Sequence, residues 1–354
     1  MLSAIAATLA IVALGYVLKQ RNFLPAVTWQ ALSPLCYWVL FPGLLFNLMS
    51  QADLTAVALV PFLVTIIGGS IVIVAFAFVA GRAIAMPGPS LSSLIQGALR
   101  HNGFLVLSVL QGTFGVAALQ LGAIAIAFLV PISNIVSVVA ILVLSRPAGE
   151  RDMKRAILSE IARNPLLGSM LIGVAVNLLD IPVPVFLAQA AALLGAGALP
   201  LLLLNIGASL RFAAIRSNAA ALALAVIAKI LVFPMTLVAI GLAVGLSPLA
   251  LAVLAAVGAA PTASSTYTLA TELGGDSQLM AEIVSLQTLA GAMSLPLWIW
   301  IAGIVAARLN NLQGRVHHLD GIFFPYLVSS IQDFETTWKE PCISPVRAFK
   351  AACA

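Results

Sequence analysis

The run from Leu249 to Ala270 is long and apolar enough to cross a bilayer, yet Pro261 sits at its centre. Thr262, Ser264, Ser265, Thr266, Tyr267 and Thr268 follow it. A proline inside a helix removes one backbone donor and clashes with the preceding turn. In lipid every backbone polar group must be satisfied within the protein, so a break at that depth is tolerated only where protein or a water-filled cavity surrounds it. The small hydroxyl side chains beside Pro261 can re-satisfy the freed groups or face a ligand. A plain kink is the competing reading, since proline and glycine are commoner in membrane helices than in soluble ones.

The rest of the chain offers no soluble alternative. Hydrophobic residues make up 62% of it and charged residues 8%, whereas a soluble domain carries roughly 25% charged residues. The fold class is an all-α polytopic membrane protein. The net charge of +5 therefore implies no nucleic-acid partner; the basic residues fall in connecting loops and report topology. Cys36, Cys342 and Cys353 have no metal-ligand spacing. The first residues lack a basic start, and Lys19 and Arg21 follow their apolar run directly. That is the pattern of a first spanning helix rather than of a cleaved leader.

At roughly 17 to 25 apolar residues per crossing, ten spans are expected: 2–18, 29–49, 55–80, 92–114, 119–145, 165–179, 185–210, 219–244, 249–270 and 279–307. Basic residues follow the first, third, fifth and seventh spans and are absent after the second, fourth, sixth and eighth. The basic side is cytoplasmic, which places the N-terminus outside. The basic residues of the tail run against this scheme. The polar linker 146–164 divides the chain into 1–145 and 165–307, five spans each, and 308–354 is a tail without an assigned role. Five is odd, so the second half is inverted relative to the first. Pro42 and Asn47 recur as Pro200 and Asn205 at an offset of 158; at an offset of 160 Asn102 falls on Thr262 and Gly115 on Gly275. The break at Pro261 thus has a partner near Asn102. Matching interruptions in two inverted halves are the best sequence pointer to a transporter site.

Polar groups at membrane depth are functional candidates by default. Arg100, His101, Asn102 and Gly103 sit at the first break, and a guanidinium there can grip a carboxylate through two parallel bonds or pair with freed carbonyls. Asn102 beside Gly103 suits a cap for the next half-helix. Pro261, Thr262 and Ser264 are their counterparts at the second break. Asn47 and Asn205 match across the repeat. Lys229 either faces the interior as a counter-charge or reaches the cytoplasmic interface. Gln287 joins the candidates, and Asn134 is expected outside the crossing. No two carboxylates pair at membrane depth, and no hydrolase, protease or nucleotide-binding motif occurs, so no enzyme activity is expected.

The stretch from Pro261 to Ile301, which opens PTASSTYTLATELGGD, resembles the closing segment of the auxin efflux carrier family, and ALRHNGFLVLSVLQGTFG (Ala98 to Gly115) resembles the same family's fourth-span segment. The branch most similar includes malonate and other small-carboxylate permeases. The resemblance implies ten transmembrane helices in two inverted five-helix repeats, with broken fourth and ninth helices crossing at the midplane. It also implies that Asn102 and the Pro261–Thr262 pair bind a substrate carboxylate. His101 departs from the apolar residue expected there.

The expectation is therefore a multi-pass permease of the cytoplasmic membrane that moves small organic anions by alternating access. An anion channel or a non-transporting sensor of the same fold is the alternative. Polarity concentrated at two breaks, rather than along a continuous stripe, favours the carrier. No cofactor or metal is expected, and coupling to a proton or sodium gradient is open. The partners are the small organic anion and the lipid bilayer, with a second copy in a homodimer as the protein partner considered.

Overall fold

Lipid leaves a chain only helices or a closed barrel to satisfy its backbone, and every regular element among the described residues is an α-helix or a π-helical turn. The computed structural model describes residues 2–52, 58–145, 164–209, 219–263, 265–302 and 304–305. Its elements belong to one compact unit, Met1–Ala306; Ala307–Ala354 form a second unit outside the described residues. The linker 146–163, the basic loop 211–218, Ser264 and the two tail cysteines also lie outside them.

In chain order the helices are α1 (Leu2–Gln20), α2 (Ala26–Leu35), α3 (Phe41–Ser50), α4 (Leu59–Ala83), α5 (Gly88–Leu99), α6 (Gly103–Phe114), α7 (Val116–Ser145) and α8 (Pro165–Leu178). Then come α9 (Val185–Ser209), α10 (Ala219–Ile227), α11 (Phe233–Ala243), α12 (Pro248–Ala259), α13 (Ser265–Leu273) and α14 (Ser277–Ala302). Helices long and apolar enough to cross a membrane are Val27–Ser50, Leu59–Ala83, Val116–Ser145, Val185–Ser209, Ala219–Ala243 and Ser277–Ala302. The short sixth span is α8, where Asn164 Oδ1 accepts from the N–H groups of Leu166 and Leu167 and Pro165 occupies the first position. The fourth and ninth spans are each two half-helices, α5 with α6 and α12 with α13.

Two π-helical turns join α2 to α3 (Cys36–Leu40) and α10 to α11 (Ala228–Val232), and each runs directly into a Phe-Pro pair, Phe41-Pro42 or Phe233-Pro234. The proline ring excludes the ordinary bond to the carbonyl four residues back, and widening the helix accommodates it. At the second turn that orphaned carbonyl belongs to Ile230, and Trp298 Nε1 of α14 donates to it at 2.7 Å. Both phenylalanines are fully buried. Elsewhere serine and threonine hydroxyls bond back along their own helices, as Ser70 does to Ile66 and Ser137 to Ser133, so their polarity never meets lipid.

Helix α1 packs against α9 with backbones in direct contact. A Cβ added to Gly207 would lie 1.9 Å from the Val12 carbonyl oxygen, and one on Gly15 would lie 2.1 Å from that of Leu204. Only glycine allows this approach, the usual device for helix packing in lipid. Large apolar side chains such as Leu193 and Met293 face outward, the polarity expected when the outer solvent is hydrocarbon.

Candidate functional site

Helix α5 stops at Leu99 because Arg100 turns extended, with ψ 149°. Asn102 then caps α6, its Oδ1 accepting from the Leu105 N–H at 3.3 Å. On the other side α12 stops at Ala259, Ala260 is extended, and Pro261 forbids continuation. The two breaks meet. The Asn102 N–H donates to the Pro261 carbonyl at 2.7 Å. Thr262 Oγ1 lies 2.8 Å from the Gly97 carbonyl and 3.2 Å from that of Arg100, and the Thr262 N–H donates to Gln287 Oε1 at 3.1 Å. Gln287 Nε2 donates in turn to Gly97 O and to Ala225 O. Ser294 Oγ reaches the last carbonyl of α12, Ala259 O, at 3.3 Å. The carbonyls that helix ends leave without partners are thus answered by side chains of other elements, those of Gly97 and Arg100 from the opposite half of the chain.

Beside the crossing lies a cavity of about 450 Å³. Arg100, His101, Asn102, Gly103 and Phe104 line it from the first break, and Ala263 and Ser265 from the second. Its far walls are Ser33, Pro34, Tyr37 and Trp38 from α2 and the first π turn, Ile126, Val130, Ser133 and Asn134 from α7, Leu166 from α8, and Leu202, Asn205 and Ile206 from α9. The size suits a small ligand. Phe104 is held by an edge-on contact with Phe41, ring centres 4.6 Å apart. Among the described lining residues there is no carboxylate, and Arg100 is the permanently charged one. The α6 N-terminus opens onto this space, adding partial positive charge. Arg100 Nη2 lies 3.5 Å from Ser265 Oγ. Arg100, Asn134 and Ser265 also line a neighbouring cavity of about 280 Å³ that extends to Glu272.

Of the residues singled out in the sequence, Arg100, His101, Asn102, Gly103 and Asn205 reach the cavity. Pro261, Thr262 and Gln287 build the crossing instead, with Thr262 and Gln287 buried and bonded to backbone. Asn47 is remote, accepting from Gln51 Nε2 near the end of α3; its repeat partner Asn205 donates to Ser33 Oγ at the cavity wall. Lys229 faces the interior, fully buried, and does not line the cavity. Asn134 corrects the expectation made for it: α7 passes beside the crossing, and Asn134 lines both cavities. The matched glycines slip by one residue, since Gly115 closes α6 with φ 78° while the positive-φ glycine closing α13 is Gly274, at 89°. The sequence reading missed Ser33, Tyr37, Trp38 and Ser133, which line the cavity beside Ser265. Ser33 and Tyr37 stand one turn apart within an expected span, and that spacing is their sequence signal.

The profile of a family described as "Membrane transport protein" matches residues 1–299, and so covers both broken spans. The chain is 27% identical over 295 residues to an "Uncharacterized transporter" of Methanothermobacter thermautotrophicus, an alignment covering 82% of this chain and 94% of that protein.

Proposed function

This chain belongs to the membrane transport protein family, and from that premise we propose that it carries small organic anions, malonate or related carboxylates, across the cytoplasmic membrane by alternating access. One observation carries the reading. Two broken helices cross beside a cavity that holds Arg100, the capped start of α6 and, among its described lining residues, no carboxylate. A guanidinium and helix-end N–H groups select for negative charge, and a cavity of about 450 Å³ has room for a small organic anion. In this reading the ten spans form two inverted repeats, 1–145 and 165–307, joined by a cytoplasmic linker, and the small-carboxylate branch of the auxin efflux carriers is the nearest functional type. Arg100 takes the carboxylate, Asn102 and Gly103 present the α6 N-terminus, and His101, Asn205 and Asn134 line the remainder. Pro261, Thr262 and Gln287 hold the crossing in shape.

The test is radiolabelled uptake into proteoliposomes with malonate, malate, lactate and indole-acetate, under imposed pH and sodium gradients. Saturable uptake of at least one anion, competed by its analogues, is expected. Uptake that does not saturate, or that is equal for anions and their neutral amides, overturns the reading.

A further inference from the structure

Where the π turn Ala228–Val232 packs against α5, polar side chains are buried without hydrogen-bond partners. Lys229 is fully enclosed, and its Nζ has no hydrogen-bond partner; it lies over the Phe233 ring, 4.7 Å from its centre. Neither amide atom of Gln96, also fully buried, has a partner. His101, beyond the end of α5, is 5% exposed and within hydrogen-bond reach of the Leu99 backbone. Native interiors pair nearly all such groups, so several orphans on adjoining elements mark a site that changes state. The π turn places Lys229 there, and α5, which carries Gln96, packs against that turn. His101 lies within coulombic range of both Lys229 and Arg100. It is also a cavity residue.

We propose that Lys229 carries one proton with each substrate anion, making the protein a proton–anion symporter. This rests on the function proposed above and adds its driving force. An isolated ammonium in a low-dielectric interior is disfavoured by several kcal/mol, and among the described residues no acceptor answers Lys229. An anion in the cavity supplies the missing opposite charge. Anion occupancy and the added proton therefore favour each other, and the coupling is reciprocal. The proton comes from water on the entry side. It adds to the lone pair of the Lys229 amine as the anion binds, and returns to water when the anion departs. Only N–H bonds form and break.

The elements packed on the π turn are α4, α5, α12 and its own flanks α10 and α11, with α14 touching through Trp298 and Gln287. Their titratable or charged residues are Arg82 on α4, exposed and stacked over Phe78, Arg100 and His101 following α5, and Glu282 on α14, which accepts from Gln278. The sequences of α10, α11 and α12 hold none outside the π turn.

The experiment uses the full chain in liposomes loaded with a pH dye, voltage clamped by potassium and valinomycin, with malonate as the probe. Malonate addition is expected to acidify the lumen, and its apparent KM to rise with pH by up to about tenfold per unit, the limit for one linked proton. Lys229→Arg keeps a charge that cannot be released, so malonate binding should persist while its pH dependence and the acidification vanish. Wild-type uptake of malonate without acidification and with a pH-independent KM overturns the inference and leaves the transport reading standing. So does a Lys229→Arg protein that acidifies as the wild type does. If no anion of the panel is bound or moved by folded wild-type protein, the functional reading fails and this inference falls with it. The wild-type proton measurement decides the matter even if the variant does not fold.

Discussion

Arg100 and Thr262 approach each other from opposite halves of the chain and have different tasks. Arg100 lines the cavity, so Arg100→Gln should weaken a dicarboxylate by about tenfold or more, since hydrogen bonds to charged groups contribute about 1.5–3 kcal/mol. Its neutral amide analogue should be nearly unaffected, and competition against labelled malonate measures both. Equal losses would make Arg100 structural. Thr262 is 1% exposed and bonds the carbonyls of Gly97 and Arg100. Thr262→Val strips a donor from buried carbonyls, which costs about 1–3 kcal/mol, so thermal stability in detergent should fall before substrate affinity does. Asn102→Ala removes the α6 cap, about 0.5–2 kcal/mol, and also disturbs the cavity wall. It should reduce stability and abolish uptake together, whereas a stable variant with normal uptake would sink the role given to the capped N-terminus.

At the scale of elements, the breaks and the wide turns are stabilised by bonds from other helices rather than by their own. The carbonyl that Pro234 orphans is answered by Trp298, and the end of α5 is answered by Gln287 and Thr262. Trp298→Phe keeps the ring and deletes the donor. It should lower the melting temperature measurably and leave substrate selectivity unchanged; an unchanged melting temperature would mean Ile230 finds another donor. The α1–α9 seam depends on contact rather than on bonds. Gly207→Leu would drive a side chain into the Val12 carbonyl, already 1.9 Å from a bare Cβ. Size-exclusion chromatography should show loss of the folded, monodisperse protein, while the same change at Gly168, where a Cβ meets nothing within 4 Å, should be tolerated.

For the whole molecule, the proposed inversion of the two halves makes a sidedness prediction. Single cysteines in a Cys-free background near Gln51 should label with an impermeant maleimide from outside intact cells. Cysteines in the loops 146–163 and 211–218 should label only after permeabilisation. The reverse pattern would overturn the orientation, and labelling of all three from one side would overturn the inversion itself.

Composition and periodicity alone determined that this chain is helical and lives in lipid, because a backbone in hydrocarbon has so few ways to satisfy itself. Prolines and glycines located both breaks to within a few residues, since loss of a donor is a local property of one residue. Asn102 as a cap and Pro165 as a helix start were legible for the same reason. What each polar residue faces was not. Thr262 and Gln287 read as ligand contacts until the opposite half of the chain showed which carbonyls they bond. Asn134 read as remote until α7 was seen to run past the crossing, and Lys229 could have reached either the interior or the interface. A π turn shifts every following side chain around the helix axis, and a repeat offset can slip by one residue, as Gly115 and Gly274 do. Those rotations depend on which distant carbonyl finds which donor, and only the tertiary structure decides that.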